Sequence, residues 1–312
     1  MKTEISVVIA VRNEEKNILP LHKALTNVLH GRQYEIIFVD DGSIDSTFKH
    51  LQSLHHQDGN VKVIKFRRSY GQTMAWRAGF KQALGDIVVT MDGDLQNDPA
   101  DIPRMLEKLN EGFDVVSGWR SKRKDKLSKK ALSKVAEYMR RLLTDDRIHD
   151  AGCALKLYKR ECLQNLQLYG EMHRFITTLL TWQGYRIGEI KVAHHPRRFG
   201  NTKYNYKRLV KGFLDLINAR FWMSYSTRPI HFFGIYGLLL IIAGIVLGIL
   251  NIGYYLFLLK RVVGVGPLLL LAGLLVLVGF QFIMFGFLGE MQIRSYYEST
   301  GTEPYSIEKI LE

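Results

Sequence analysis

Residues 88–99 read VVTMDGDLQNDP, a β-branched apolar run that ends abruptly in three aspartates, Asp92, Asp94 and Asp98. Such a run is typical of a buried strand in a parallel sheet. Carboxylates grouped at the end of that strand repel one another and lose part of their hydration, so we expect a positive charge beside them. The stretch therefore predicts a sheet with a charged site at its strand ends.

Strand-like and helix-like segments alternate along the first half of the chain. Residues 5–11 (ISVVIAV) form another apolar run, and residues 17–29 follow with apolar side chains at helical spacing. Further strands are predicted at residues 36–39, 61–66, 87–91 and 115–117, with helices through 48–51, 74–83 and 102–109. This alternation predicts an α/β fold with a doubly wound, mostly parallel sheet. Ligands bind such sheets beyond the carboxyl ends of the strands.

Polar side chains follow four of the predicted strands: RNEE at 12–15, DDGS at 40–43, DGD at 92–94 and GWR at 118–120. Asp92 and Asp94, with Gln96 two residues on, offer hard oxygen ligands to Mg²⁺ or Mn²⁺ shared with a diphosphate. A divalent cation would supply the missing positive charge. Asp41 lies in a tight turn that Gly42 permits, where it could accept a hydrogen bond from a base or a ribose.

Several other functions are unsupported. No G-x-x-x-x-G-K-[ST] loop is present and no G-x-G-x-x-G follows the first strand, which argues against P-loop hydrolysis and dinucleotide binding. No His/Cys cluster has zinc spacing, and two cysteines are too few for a disulfide scaffold. The net charge of +13 predicts an anionic partner, and the apolar segments below favour lipid headgroups or phosphates over nucleic acid.

Two stretches without charged residues, 232–259 and 262–288, are each long enough to cross a bilayer, which takes roughly 20 apolar residues. Only Lys260-Arg261 separates them, so we expect a tight hairpin. Before them, Lys203, Lys207 and Lys211 repeat every four residues opposite apolar side chains, as in an amphipathic helix at a membrane surface.

The predicted organisation is a catalytic domain at 1–200, an interfacial segment at 201–229, two transmembrane helices at 230–289 and a tail at 290–312. No apolar segment follows Met1, and Lys and Arg concentrate before the first span, so we expect the catalytic domain and the tail in the cytosol.

The ordered set of motifs resembles family 2 glycosyltransferases with the GT-A fold: VVIAVRNEE, VDDGS, SYGQTMAWRAGF, MDGDLQNDP, GWR, GCALKLYKRE and FGNTKYNYKRL. More narrowly, the chain resembles polyisoprenyl-phosphate glycosyltransferases that carry two C-terminal membrane helices, and the similarity extends through GFLGEMQIRSYYE. The resemblance implies transfer of a sugar from a nucleotide donor, expected to be UDP-linked, to undecaprenyl or dolichyl phosphate. This would occur on the cytosolic leaflet of a bacterial or archaeal membrane, in cell-envelope synthesis.

The resemblance also implies site residues. The nucleotide sugar would contact Ala10, Arg12, Glu14, Asp41, Asp92, Gly93 and Asp94; the metal would bind Asp92, Asp94 and Gln96; and Arg120 would face phosphate. Ala10 and Arg12 stand where the family commonly has proline and an aromatic. Some glucosyl-transferring members have an acidic residue in place of Cys153, and DAGC at 150–153 looks closer to aminoarabinose-transferring relatives.

The reaction also needs residues that handle the acceptor. Asp150 could orient the acceptor or the sugar, or only cap the adjoining turn. A phosphate monoester is largely ionised near pH 7, since its second pKa is about 6, so a strong base is optional for an in-line, inverting attack. Arg197, Arg198 and Lys203 precede the membrane approach and are predicted to bind the acceptor phosphate.

Two alternatives belong to other classes. A processive polysaccharide synthase usually carries Q-x-x-R-W and more membrane helices, neither of which is found in this sequence. A non-catalytic membrane scaffold with a degenerate nucleotide domain is disfavoured by the intact Asp92 and Asp94. The sequence leaves homo-oligomerisation open.

Overall fold

The structure is a computed structural model that describes residues 3–121, 148–164, 166, 168, 172–196, 229–258 and 266–300. The chain divides into two compact units, Met1–Arg220 and Phe221–Glu312. Residues 201–228 of the predicted interfacial segment lie outside the described residues.

The first unit is built on one mixed sheet of seven strands in the order β3-β2-β1-β4-β6-β5-β7. The strands are β1 (Ile5–Val11), β2 (Tyr34–Asp40), β3 (Val61–Lys65), β4 (Ile87–Asp92), β5 (Val115–Trp119), β6 (Lys156–Lys159) and β7 (Ile187–Lys191). Strands β1 to β4 are parallel, and β5 is parallel to β7. Only β6, among these seven, runs antiparallel to its neighbours, β4 and β5. The predicted α/β fold with a mostly parallel sheet is confirmed.

In the described part of this unit, four longer helices connect the strands: α1 (Ile18–Val28), α2 (Thr47–Gln57), α3 (Gln72–Gln82) and α4 (Ile102–Asn110). Shorter helices span Glu161–Gln164 and Ile176–Trp182, and 3₁₀ turns span Pro99–Asp101 and Met172–Arg174. Ile18, Leu21 and Leu25 of α1 are completely buried, as their helical spacing predicts. In β1, consecutive residues Val7, Val8 and Ile9 are all buried because helices cover both faces of the sheet.

The strand directions bring the predicted polar segments to one edge of the sheet. Ala10 lies opposite Asp92, and Val11 lies opposite Asp40. Because β6 is antiparallel to both β4 and β5, those two strands run in the same direction. The segments that follow β1, β2, β4 and β5 therefore all emerge at the same edge.

The second unit contains two long apolar helices, Pro229–Gly253 and Pro267–Thr300, with a π-helical turn at Tyr254–Leu258 after the first. Pro229–Leu256 and Pro267–Ile293 are long and apolar enough to cross a membrane. The helices pack closely at small residues: a Cβ atom on Gly237 would lie 2.6 Å from the carbonyl oxygen of Gly279, and the reverse distance is also 2.6 Å. The second helix continues to Thr300 and so includes residues 290–300 of the predicted tail.

Candidate active site

The Asp-Gly-Asp segment begins at the end of β4, where two neighbouring elements hold it. Asp92 is half-buried, and its Oδ1 accepts a hydrogen bond of 2.6 Å from Nε2 of Gln72. Gly93 packs on Val11, whose Cγ1 would lie 2.6 Å from an added Cβ atom, so an alanine here would require Val11 to move. Asp94 is 5% exposed and accepts a hydrogen bond from the backbone N–H of Gln96.

These carboxylates fit a divalent cation in their chemistry, because hard oxygen ligands suit Mg²⁺ and Mn²⁺. Within the described ranges, no group of three or more His, Cys, Asp and Glu side chains is arranged around a cation position. Asp92 and Asp94 would therefore hold the ion together with substrate oxygens, water or the amide of half-buried Gln96. The ligand set stays a prediction.

The turn after β2 is locked by backbone geometry and by two buried aspartates. Gly42 has a φ of 67°, and an added Cβ atom would lie 2.6 Å from the backbone carbonyl carbon of Arg68. Asp40 accepts a hydrogen bond from the N–H of Ser43 at 2.9 Å. Asp41 points instead toward the loop before α3, where it accepts hydrogen bonds from Ser69 Oγ, Tyr70 N and Gly71 N.

Hydrogen bonds connect the loop after β1 to the turn after β2 and the start of α2. Asn13 has a φ of 56°, accepts a hydrogen bond from Ile44 N at 3.0 Å and donates its own N–H to Ser43 Oγ at 2.9 Å. The N–H of Glu14 donates to Thr47 Oγ1 at 2.8 Å. Among the predicted nucleotide contacts, Ala10 is half-buried and Arg12 is exposed at this edge. The structure thus places all the predicted nucleotide-binding residues at one sheet edge.

Arg120 and Asp150 form a bidentate ion pair at the end of β5. The guanidinium donates from Nε to Oδ2 at 2.7 Å and from Nη2 to Oδ1 at 2.9 Å, and the Arg120 backbone N–H also donates to Oδ2. The two side chains are 12% and 17% exposed. Burial by itself raises the pKa of Asp150, but the hydrogen bonds and charge of Arg120 outweigh it and hold that pKa below its usual value.

Glu189 of β7 holds the turn that contains His149 and Asp150 through hydrogen bonds. Its carboxylate accepts hydrogen bonds from the N–H of His149 at 2.9 Å and from the Nδ1 position of the same histidine at 2.8 Å. The His149 ring also stacks on Trp119, with 4.5 Å between ring centroids. Beside the turn, burial raises the pKa of Cys153 to about 11, so this thiol is neutral at pH 7. These contacts fix Asp150 in place.

The segment after β7 is attached to the loop that carries Asp94 and Gln96. The N–H of His195 donates to the carbonyl of Gln96 at 2.9 Å, and its Nε2 lies 3.0 Å from Asp98 Oδ2. This contact lowers the pKa of Asp98 against the opposing effect of burial. Arg197, Arg198 and Lys203, predicted to bind the acceptor phosphate, lie outside the described residues.

Sequence reasoning missed three residues at this edge: Gln72, Glu189 and Lys156. Lys156 of β6 is 1% exposed and donates from Nζ to the carbonyl of Ala151 at 2.8 Å. Strands β6 and β7 were not predicted, so Lys156 and Glu189 had no assigned position. Gln72 was visible in the SYGQ segment, but its partner Asp92 is twenty residues away and nothing in the sequence pairs them.

Comparison with known proteins matches residues 6–167, just over half of the chain, to the model of the family described as glycosyl transferase family 2. The chain belongs to glycosyl transferase family 2. The matched region contains the strand-end motifs and the Arg120–Asp150 pair, whereas Glu189 and His195 lie beyond it.

Two curated relatives are similar to this protein over nearly the full chain. A protein named dodecaprenyl-phosphate galacturonate synthase from Rhizobium johnstonii is 38% identical over 99% of this chain and 93% of its own. A protein named undecaprenyl-phosphate 4-deoxy-4-formamido-L-arabinose transferase from Klebsiella pneumoniae is 33% identical over 99% and 94%.

A solved structure supports the fold of the first unit, Met1–Arg220, which is called the catalytic unit below. Glucosyl-3-phosphoglycerate synthase from Mycobacterium tuberculosis, in complex with Mn²⁺ and uridine-diphosphate-glucose, superimposes with a TM-score of 0.54 at 18% identity. The match covers 70% of this chain and 79% of that one. At this identity the likeness establishes the GT-A-type fold and nothing about the ligands of this chain.

Proposed function

We propose that this family 2 glycosyltransferase transfers a sugar from a nucleotide sugar to the phosphate of a polyprenyl phosphate. The observation that carries the proposal is similarity over 99% of the chain to two proteins whose names pair a sugar with dodecaprenyl phosphate or undecaprenyl phosphate. The similarity includes the two apolar helices, which suit an enzyme with a lipid acceptor.

The donor would bind at the carboxyl edge of the sheet. Ala10, Arg12 and Glu14 would face its nucleoside, which we expect to be uridine, and Asp92 and Asp94 would hold Mg²⁺ or Mn²⁺ with Gln96. When bound, the ion would neutralise charge on the departing diphosphate. Gly93 lets the backbone of this loop pack against β1, because an added Cβ atom would lie 2.6 Å from Val11 Cγ1.

Arg120 would contact phosphate, and Asp150 would orient its guanidinium. The ion pair leaves Asp150 with a lowered pKa, which makes it a weak general base. No strong base is required, because a phosphate monoester is already largely ionised near pH 7, with a second pKa of about 6. Catalysis would rest on alignment of the acceptor oxygen with the anomeric carbon and on charge stabilisation, with inversion at that carbon.

The acceptor would arrive from the membrane. We assign its phosphate to Arg197, Arg198 and Lys203, whose guanidinium and ammonium groups suit a phosphate. His195, which is hydrogen-bonded to Gln96 and Asp98 of the predicted metal loop, lies two residues before Arg197 in the chain. The two apolar helices would span the membrane as a hairpin, with the catalytic unit and the tail cytosolic.

The deciding experiment supplies the purified full chain with radiolabelled UDP- and GDP-sugars, undecaprenyl phosphate and Mg²⁺ or Mn²⁺. We expect label to enter the lipid fraction as one sugar per lipid with one donor, and Asp94→Asn to abolish it. A polymeric product would instead indicate a processive synthase. No lipid-linked label with any donor in the panel would refute the proposal.

The topology has its own test, independent of activity. A cysteine introduced as Ser306→Cys, in a background where Cys153 and Cys162 are replaced by serine and alanine, should react with a membrane-impermeant maleimide only from the cytosolic side. Labelling from the opposite side of the membrane would contradict the hairpin arrangement.

A further inference from the structure

The orientation of Asp92 depends on a residue outside its own strand and loop. Gln72 is the first residue of α3, and its Nε2 donates to Asp92 Oδ1 at 2.6 Å. Because this hydrogen bond joins the start of α3 to the end of β4, a shift of the helix would turn the carboxylate.

The start of α3 is in turn held by Asp41. Its carboxylate is 6% exposed and accepts hydrogen bonds from Ser69 Oγ at 2.7 Å, Tyr70 N at 2.6 Å and Gly71 N at 3.1 and 3.2 Å. Gly71 is the N-cap of α3, has a φ of 91° and has no side chain to cap the helix. The Asp41 carboxylate therefore holds the three residues that lead into α3 rather than the first N–H groups of the helix itself.

We propose that Gln72 is a positioning residue for the metal ligand Asp92, and that Asp41 is the anchor that places Gln72. The inference rests on the proposed function, in which Asp92 binds the divalent cation. It gives the Asp41 carboxylate a contact inside the protein, and the nucleoside contact expected from the sequence stays a prediction.

The chemistry of Gln72 suits this role. An amide N–H fixes the plane of a carboxylate through a hydrogen bond but carries no charge. A lysine or arginine at the same place would repel a divalent cation and compete with it for Asp92. Removing a side chain that orients a metal ligand typically lowers metal affinity about 10- to 100-fold.

The test compares Gln72→Met with the matched control Gln82→Met in the purified full chain. Both change a glutamine of α3 to an unbranched side chain of similar length and good helix propensity, but Gln82 is exposed at the far end of the helix. Mn²⁺ binding is measured by the electron paramagnetic resonance signal of the free ion, with UDP and separately with GDP. We expect the Kd for Mn²⁺ to rise about 10- to 100-fold in Gln72→Met only.

Asp41→Asn, alone and combined with Gln72→Met, tests the anchor. If Asp41 acts through Gln72, Asp41→Asn weakens Mn²⁺ binding measured at saturating nucleotide and adds little in the Gln72→Met background. Wild-type Mn²⁺ affinity in Asp41→Asn, or an effect that is fully additive with that of Gln72→Met, would overturn the anchor role.

The outcomes separate this inference from the proposed function. Wild-type Mn²⁺ affinity in Gln72→Met overturns the positioning role, even if sugar transfer falls. If the unmodified chain binds Mn²⁺ but transfers no sugar to polyprenyl phosphate, the acceptor assignment fails while Gln72 is still judged by its Mn²⁺ affinity. An unmodified chain that binds no Mn²⁺ with either nucleotide overturns both the metal site and the role of Gln72.

Discussion

Replacing Gly42 by alanine should destabilise the catalytic unit in two separable ways. The residue has a φ of 67°, and a left-handed conformation costs an L-residue about 1–2 kcal/mol. In addition, the new Cβ atom would lie 2.6 Å from the carbonyl carbon of Arg68 and 2.7 Å from the nitrogen of Ser69. These are backbone atoms, and overpacking of this kind costs about 1–3 kcal/mol more.

Gly31→Ala is the matched control, because Gly31 has a φ of 82° and nothing within 4 Å of an added Cβ atom. Gly31→Ala should therefore show only the free-energy cost of the left-handed backbone conformation. For a unit of this size, 1 kcal/mol lowers the melting midpoint by about 2–4 °C. We therefore expect Gly31→Ala to melt about 2–8 °C below the wild type, and Gly42→Ala a further 2–12 °C or so below the control.

The chain provides its own reporter for this measurement. Its two cysteines, Cys153 and Cys162, both lie in the catalytic unit and are 1% and 2% exposed. Burial raises their pKa values to about 11 and about 12, so they stay unreactive until the unit unfolds. A thiol-reactive fluorescent maleimide thus reports the melting of this unit in the full chain. Equal midpoints for the two variants would show that Arg68 and Ser69 move aside freely and would refute the close packing.

Three further predictions concern the site. Asp92→Asn should lower sugar transfer at least 10²–10³-fold with an unchanged melting midpoint, and wild-type transfer that survives EDTA would contradict a metal role. Asp150→Asn should cost about 3–5 kcal/mol at pH 7, because it leaves buried Arg120 without its counter-charge. Folding lowers the pKa of Asp150, so the stabilisation by the ion pair is present above the unfolded pKa of about 3.9 and is lost as the pH falls through the lower folded pKa. The difference in melting midpoint between Asp150→Asn and the wild type should therefore shrink in acid. Arg198→Ala should raise the KM for polyprenyl phosphate but not for the nucleotide sugar, even with a short soluble prenyl phosphate; a defect confined to membranes would indicate only lipid docking.

The elements with long, uniform patterns could be predicted from the sequence. β1 and β4 are continuous apolar runs because both faces of the sheet are covered, and α1 shows its buried stripe at Ile18, Leu21 and Leu25. Their parallel order follows from the alternation of strands and helices. Consequently the sequence alone predicts that the strand-end segments lie at one edge of the sheet.

What the sequence could not supply depends on contacts between distant residues. β6 has only four residues and contains the buried charge of Lys156, so no apolar run marks it. The two hydrogen bonds between the side chains of Arg120 and Asp150 join residues thirty positions apart, and nothing in the sequence pairs them. Likewise, the sequence showed an aspartate at position 41 but not that its carboxylate faces Ser69 and Gly71.

The antiparallel direction of β6 determines how freely the chain between β5 and β6 can vary. β5 ends at the site edge with Trp119, and β6 begins at that same edge with Lys156, so the chain between them leaves and re-enters the sheet beside the active site. A crossover to a parallel strand would have to travel the full depth of the sheet, whereas this connection needs only to return to where it started. Its length and sequence can therefore drift without disturbing the register of any strand. A change in the length of this connection would alter the chain next to Arg120 and Asp150 and leave the ends of β1, β2 and β4 in place.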